Sequence, residues 1–214
     1  MPSYAIPNEV NQGPTTICNL YRMRSNADEI ASLFGAVNEA GNIPSSDGIY
    51  PDQDAPIVRQ GDAARRIETH SWWFPPPGKV KRPVTNVRNL DSPFWRASLV
   101  NPERRCLVPV TSFCEWEGAP GSKHKVWFDF PDHPLFAFAG IWRPVDGERS
   151  RFAFLTCEPN ELVAPVHPKA MPVLLTAKDA DTWLTADWDD ARQLARPFPA
   201  TDMRLSREDG DLLL

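Results

Sequence analysis

Short aromatic segments joined by turns, with helix signals only near the two ends of the chain, predict an α+β fold on a mostly antiparallel sheet. Three observations carry that expectation. The stretches KVWFDF, LFAFAGIW and RFAFLTC are aromatic and partly alternating, the pattern of half-buried strands. Asp146-Gly147, a turn pair, separates the last two. No repeat and no linker divides the 214 residues, and the 23 prolines fall mostly between strands, so one domain is the simpler organisation.

The elements follow in order. Residues 1–16 are polar, rich in Pro, Asn and Thr, and lack core-forming periodicity; 1–17 read as a disordered extension, a pro-segment or a misplaced start. CNLYRM from Cys18 is a short extended piece feeding a helix. That helix has a capping-box form at Ser25–Asp28, apolar Ile30, Leu33 and Phe34, and a stop at Gly35. Residues 36–56 read as a loop. Strands are expected at 55–59, 68–74, 105–110, 113–117, 125–130, 135–142, 151–157 and 172–175. WWFPPPGK from Trp72 is neither helix nor central strand, because three prolines remove donors and fix the backbone. Thr176–Asp179 caps a helix through Leu184, a second helix covers 189–195, and the end from Gly210 is frayed.

Composition narrows the function classes. At 42% hydrophobic residues the chain buries a real core. No apolar run approaches the ~20 residues of a membrane span, and the first 17 residues lack the basic start and apolar middle of an export signal. A soluble cytoplasmic protein is the expectation. The four cysteines, Cys18, Cys106, Cys114 and Cys157, form no C-x-x-C and no zinc spacing, so free thiols and no metal are expected. Net charge is −5, which argues against nucleic acid as a partner for the whole surface. Yet Arg59–Arg105 holds ten Lys/Arg against four acids, and screening lets such a local face hold phosphates. A solvated charged surface is the competing reading.

Four stretches can carry chemistry. In TNVRN, Asn86 and Arg88 share a face of an extended segment, and Arg offers a planar fork to phosphate. Trp72, Trp73, Phe74 and Trp95 either stack on unpaired bases or fill the core. Glu115, between Cys114 and Trp116 in an apolar strand, suits acid/base work if buried, and otherwise faces solvent with Glu117 on the same side. His167, boxed by prolines, is a proton-transfer candidate or a structural histidine. Cys18, as an internal residue, owns only a thiol. At a free N-terminus it would own an amine as well, and the two together close a five-membered thiazolidine on an aldehyde.

Jointly, CNLY followed by ADEIASLFGA, then PDQDAPIVR, SWWFPPP, TNVRN, RRCLVPVTSFCEW, FAFAGIW and VHPKAMPVLL resemble, in order, the SRAP (SOS response-associated peptidase) family of abasic-site processing proteins. The resemblance spans about residues 18–185 and implies an SRAP domain over 18–205, a barrel-like sheet core with flanking helices, and a tail at 206–214. It implies covalent capture of abasic sites in single-stranded DNA through an N-terminal cysteine, with AP-lyase and self-processing activity in the DNA-damage response. By position it makes Cys18 the nucleophile, Glu115 the acid/base and His167 the proton-transfer group. Asn86, Arg88, Trp72 and Arg59 contact the DNA, no cofactor is needed, and the protein acts as a monomer.

Three departures stand out. Cys18 follows Ile17 where family members begin Met-Cys. Ser71 and Trp73 stand where relatives often carry Arg and Gly. His167 lies four residues before Met171, one more than in many members. Two other readings remain open: a cysteine peptidase with a Cys18–His167 dyad, and a non-covalent single-strand binder whose affinity is salt-sensitive.

Overall fold

The computed structural model describes residues 18–75, 83–119 and 121–207. The expected extension at 1–17, the prolines after Pro75 and the last seven residues lie outside them. In chain order the first elements are β1 (Tyr21–Met23), α1 (Ala27–Phe34), β2 (Ala36–Asn38), β3 (Ser46–Ile49), β4 (Asp54–Gln60), β5 (Arg65–Trp72), β6 (Asn86–Val87) and α2 (Pro93–Val100). Then come β7 (Arg105–Val110), β8 (Ser112–Glu117), β9 (His124–Asp129), β10 (Phe136–Arg143) and β11 (Arg151–Cys157). The chain continues through β12 (Met171–Pro172), β13 (Leu174–Leu175), α3 (Ala180–Thr185), α4 (Trp188–Arg192) and β14 (Arg204–Arg207). The α+β class and the long strands are as expected.

Two sheets form the body. The smaller has the order β14-β9-β8-β1-β3. The larger runs β12-β11-β10-β7-β4-β5-β2, and β11 also pairs with β5 in parallel at Arg151–Ser71 and Phe152–Trp72. That pairing closes β11, β10, β7, β4 and β5 into a ring, which shields the edges of a sheet otherwise open to pairing. The other ring contacts are antiparallel. Phe138, Phe154, Trp72 and Tyr21 meet inside it, with Tyr21 5.2 Å from Trp72 and Phe138 4.4 Å from Phe154 by ring centroid. Every residue of β7 is buried.

Local signals were mostly obeyed, with shifts. The first helix is capped by Asn26, whose side chain accepts from the Glu29 N–H while Glu29 reciprocates. The capping box therefore sits one residue later than Ser25–Asp28, because Glu29 reaches the cap backbone where Asp28 does not. Gly35 closes the helix at φ 61°, a left-handed turn that favours glycine. The stretch 36–56 is not plain loop: it holds β2 and β3, too short and too exposed to show periodicity. The Pro93 helix went unread, since its cap Ser92 makes no side-chain bond. The expected strand 172–175 splits into β12 and β13, whose partners differ: β11 and β10. The last helix spans only Trp188–Arg192, and β14 runs to Arg207, past the expected boundary at 205.

Candidate functional site

The site begins where the chain enters β1. The Cys114 N–H donates to the Leu20 carbonyl at 3.0 Å and the Thr111 N–H to the Arg22 carbonyl at 2.9 Å, which clamps β1 along β8. This places Cys18 just ahead of β1, fully buried, beside Glu115 of β8. The Cys18 backbone lies close enough to the Glu115 carboxyl to favour its ionised form slightly. On the other side, the Asn86 amide donates to the Cys18 carbonyl at 3.4 Å. Asn86 is held there because β6 pairs with β11, Asn86 lying opposite Phe154. The Cys18 backbone thus lies beside two of the residues singled out in the sequence.

Burial governs the electrostatics. Glu115 is 1% exposed, and loss of water pushes its carboxyl up to about 8, against a modest lowering by the Cys18 backbone. Its Oε1 has no hydrogen-bond partner among the described residues. Glu117, two residues along, reaches Arg207 at 2.9 Å and His124 at 2.9 Å, and these partners hold it down to about 2. One strand therefore carries a neutral acid and an ionised carboxylate. The Cys18 thiol is raised well above its ordinary value, first by burial and then by Glu115 and Cys114. That is opposite to the depressed thiol of a cysteine-peptidase dyad.

His167 is 7% exposed, at the end of a buried turn. Its Nδ1 lies 2.9 Å from the Ala170 carbonyl, and the Ala170 N–H points at the same nitrogen from 3.3 Å, so residue 170 holds the ring from both backbone groups. Nε2 is buried and has no partner among the described residues. Burial first, then Lys169 and Arg88, lower the imidazole below its ordinary value, while the Ala170 carbonyl opposes this. Arg88 donates to the Cys157 carbonyl at 3.0 Å and to Glu158 at 2.7 Å. Cys18, Glu115, Asn86, Arg88 and His167 thus lie on or beside β1, β8, β6 and the end of β11.

Two expected residues stand elsewhere. Trp72 is fully buried; its Nε1 donates to the Thr85 carbonyl at 3.1 Å and its ring packs on Tyr21 and Phe154. It supports the segment carrying Asn86 and offers no surface to DNA, so its place in the interface is corrected to the core. Trp95 is likewise buried. Arg59 donates to Glu68 at 2.9 Å and lies 5.1 Å over the Trp142 ring, lining a separate cavity of about 520 Å³ with Arg104. Several cations of the basic stretch are ion-paired: Arg65 with Asp181, Arg66 with Glu39 and Arg88 with Glu158. The sequence reading missed the hydroxyls of Tyr21 and Thr156, both buried and without a partner among the described residues. No group of His, Cys, Asp and Glu suited to a metal ion occurs among the described residues, and none of their helices is long and apolar enough to cross a membrane.

Fold and site together define an α+β protein with a closed strand ring, a second sheet and a buried cysteine–carboxyl pair. The family model "SOS response associated peptidase (SRAP)" matches residues 17–208, and the chain belongs to that family. A comparison with curated proteins finds no match. Among solved structures, a protein from Bacteroides thetaiotaomicron shares the fold with a TM-score of 0.77 at 21% identity, over 91% of this chain and 93% of that one. A protein from Bordetella bronchiseptica gives 0.72 at 21% identity, over 89% and 99%. A phage-related protein from the same organism gives 0.72 at 18% identity, over 91% and 96%.

Proposed function

We propose that this protein captures abasic sites in single-stranded DNA covalently, through Cys18 once that residue stands at a free N-terminus. The observation that carries the reading is the burial of Cys18 and Glu115 side by side, with burial pushing the Glu115 carboxyl up to about 8. In the chain as written the Cys18 nitrogen is an amide and cannot attack a carbonyl. With Ile17 and everything before it removed, by a true start at position 17 with loss of the initiator or by self-processing, the same position becomes an amine.

The chemistry then balances without a cofactor. Glu115, neutral near pH 7, gives a proton to the ring oxygen of the abasic sugar, and its carboxylate takes up the C1 hydroxyl proton as the ring opens to the aldehyde. The Cys18 amine adds to the aldehyde carbon. The carbinolamine hydroxyl takes a proton from Glu115 and leaves as water while the nitrogen proton returns to the carboxylate, giving an imine. The thiol sulfur adds to the imine carbon and its proton passes to the nitrogen, closing a thiazolidine. The raised thiol is no obstacle, because ring closure on a neighbouring imine is intramolecular. The His167 imidazole moves protons in closure and in reversal, and β-elimination from the imine gives the associated lyase activity. Asn86 and Arg88 hold the abasic nucleotide and its phosphates.

Incubation with single-stranded DNA carrying one abasic site, followed by a denaturing gel, tests the reading. A form beginning at Cys18 should give a denaturant-stable adduct, and its Cys18→Ala variant none. The full chain should react only to the extent that its mass shows loss of the leading residues. A Cys18-first form that binds the DNA but never crosslinks would contradict the reading and leave a non-covalent binder.

A further inference from the structure

The groups assigned above do not explain why Asn160 is buried. It is 6% exposed, lies seven residues before His167, and belongs to no strand. Its hydrogen-bonding capacity is nonetheless filled, and each bond has a structural destination. Oδ1 accepts from the Leu162 N–H at 3.2 Å and the Val163 N–H at 3.0 Å, the arrangement of a cap on a helical turn. The Asn160 carbonyl accepts from the Ala164 N–H at 2.9 Å. The Val163 carbonyl in turn accepts from the His167 N–H at 2.9 Å. Two hydrogen bonds therefore connect the Asn160 side chain to the backbone of His167.

The far end of the same loop is held too. The Asn160 N–H points at the Met171 sulfur, 3.4 Å away, and Met171 follows Ala170, whose carbonyl holds His167 Nδ1. The Asn160 Nδ2 group donates to the Phe198 carbonyl at 2.7 Å and to the Met203 sulfur at 3.1 Å. Met203 leads directly into β14, β14 pairs with β9, and β9 pairs with β8, the strand of Glu115. The amide orientation is fixed by these partners: N–H groups on one side demand the oxygen, and a carbonyl on the other demands the nitrogen.

We infer that Asn160 is a positioning residue, which sets the placement of the His167 imidazole by pinning its turn and tying that turn to the chain segment leading to the Glu115 sheet. The link to catalysis rests on the function proposed above; the placement of the imidazole does not. Besides the Ala170 carbonyl, Arg88 and Lys169 are the charged groups acting on His167.

The test uses the full chain and two neutral variants. Asn160→Ala removes cap and tether. Asn160→Ser keeps a cap acceptor but is too short to reach Phe198, so it keeps the proposal testable if the alanine variant does not fold. The imidazole titration of His167 is followed by NMR and picked out of the four histidines by its loss in His167→Gln. The expected result is a rise toward the ordinary histidine value as the loosened turn admits water, larger for Ala than for Ser. In the Cys18-first form, crosslink formation or reversal should slow in parallel, by ~10–100-fold for Ala. An unchanged His167 titration in a folded variant overturns the proposal. A moved titration with unchanged crosslinking rates supports the positioning role and removes His167 from the proposed chemistry, so the two failures are told apart.

Discussion

Glu115 and Glu117 are the same residue type on the same strand, yet one is raised to about 8 and the other lowered to about 2. The cause is burial without a charged partner in the first case and the Arg207 and His124 contacts in the second. For Glu115 the unfolded chain loses its proton first, so stability is fully present below about pH 4.5 and declines as pH rises toward 8. Each pH unit in that window costs about 1.4 kcal/mol at most. Glu115→Gln should flatten this part of the stability-versus-pH curve in thermal melts, and should slow adduct formation in the Cys18-first form by ~10²–10⁴-fold while leaving DNA binding nearly intact. Retained pH dependence would show that Glu115 is not the buried acid. Arg88 is held by Glu158, an exposed partner that DNA phosphate must displace. Arg88→Ala should therefore weaken binding and reduce the salt slope by ~1, and Glu158→Gln should tighten binding; an unmoved salt titration would remove Arg88 from the phosphate contacts. The sequence already exposed Glu115, since a carboxylate between Cys114 and Trp116 interrupts an apolar run. It could not say whether Trp72 faces the core or the solvent, because an aromatic side chain serves either. Nor could it show that cations of the basic stretch are paired, since the partner of Arg65, for example, lies 116 residues away.

At the scale of elements, the helix α3 is only six residues long, and Trp183 is one of the side chains that fix it to the ring. The Trp183 indole N–H donates to the Cys106 carbonyl at 2.9 Å and the Gly140 carbonyl at 3.3 Å. Gly140 leaves the room this needs: a Cβ there would stand 2.8 Å from the Cys106 sulfur and 3.0 Å from a Val108 methyl. Gly140→Ala should cost ~1–3 kcal/mol through overpacking, measured by denaturant unfolding; an unchanged midpoint would mean that β7 and β10 separate freely. The strand β10 was legible from its aromatic run, but the need for a glycine in it was not. That need arises from a neighbour 34 residues earlier in the chain. The short strands β2, β3 and β6 were unreadable for a related reason: each is defined by a partner strand and is too short to show a period.

For the whole molecule, the closed ring and the second sheet do one thing for the site. They bring an entry segment and two strand positions, those of Glu115 and Asn86, from separate parts of the chain to one cysteine. The chain belongs to the SRAP family. The central claim is that Cys18 supplies both an amine and a thiol beside Glu115. Peptide mapping by mass spectrometry of the crosslinked, Cys18-first protein tests it most directly. The account predicts the sugar remnant on the N-terminal peptide, with the α-amine and the thiol of Cys18 both blocked and one water lost. A remnant on a lysine or on another cysteine, with Cys18 still free, would contradict it.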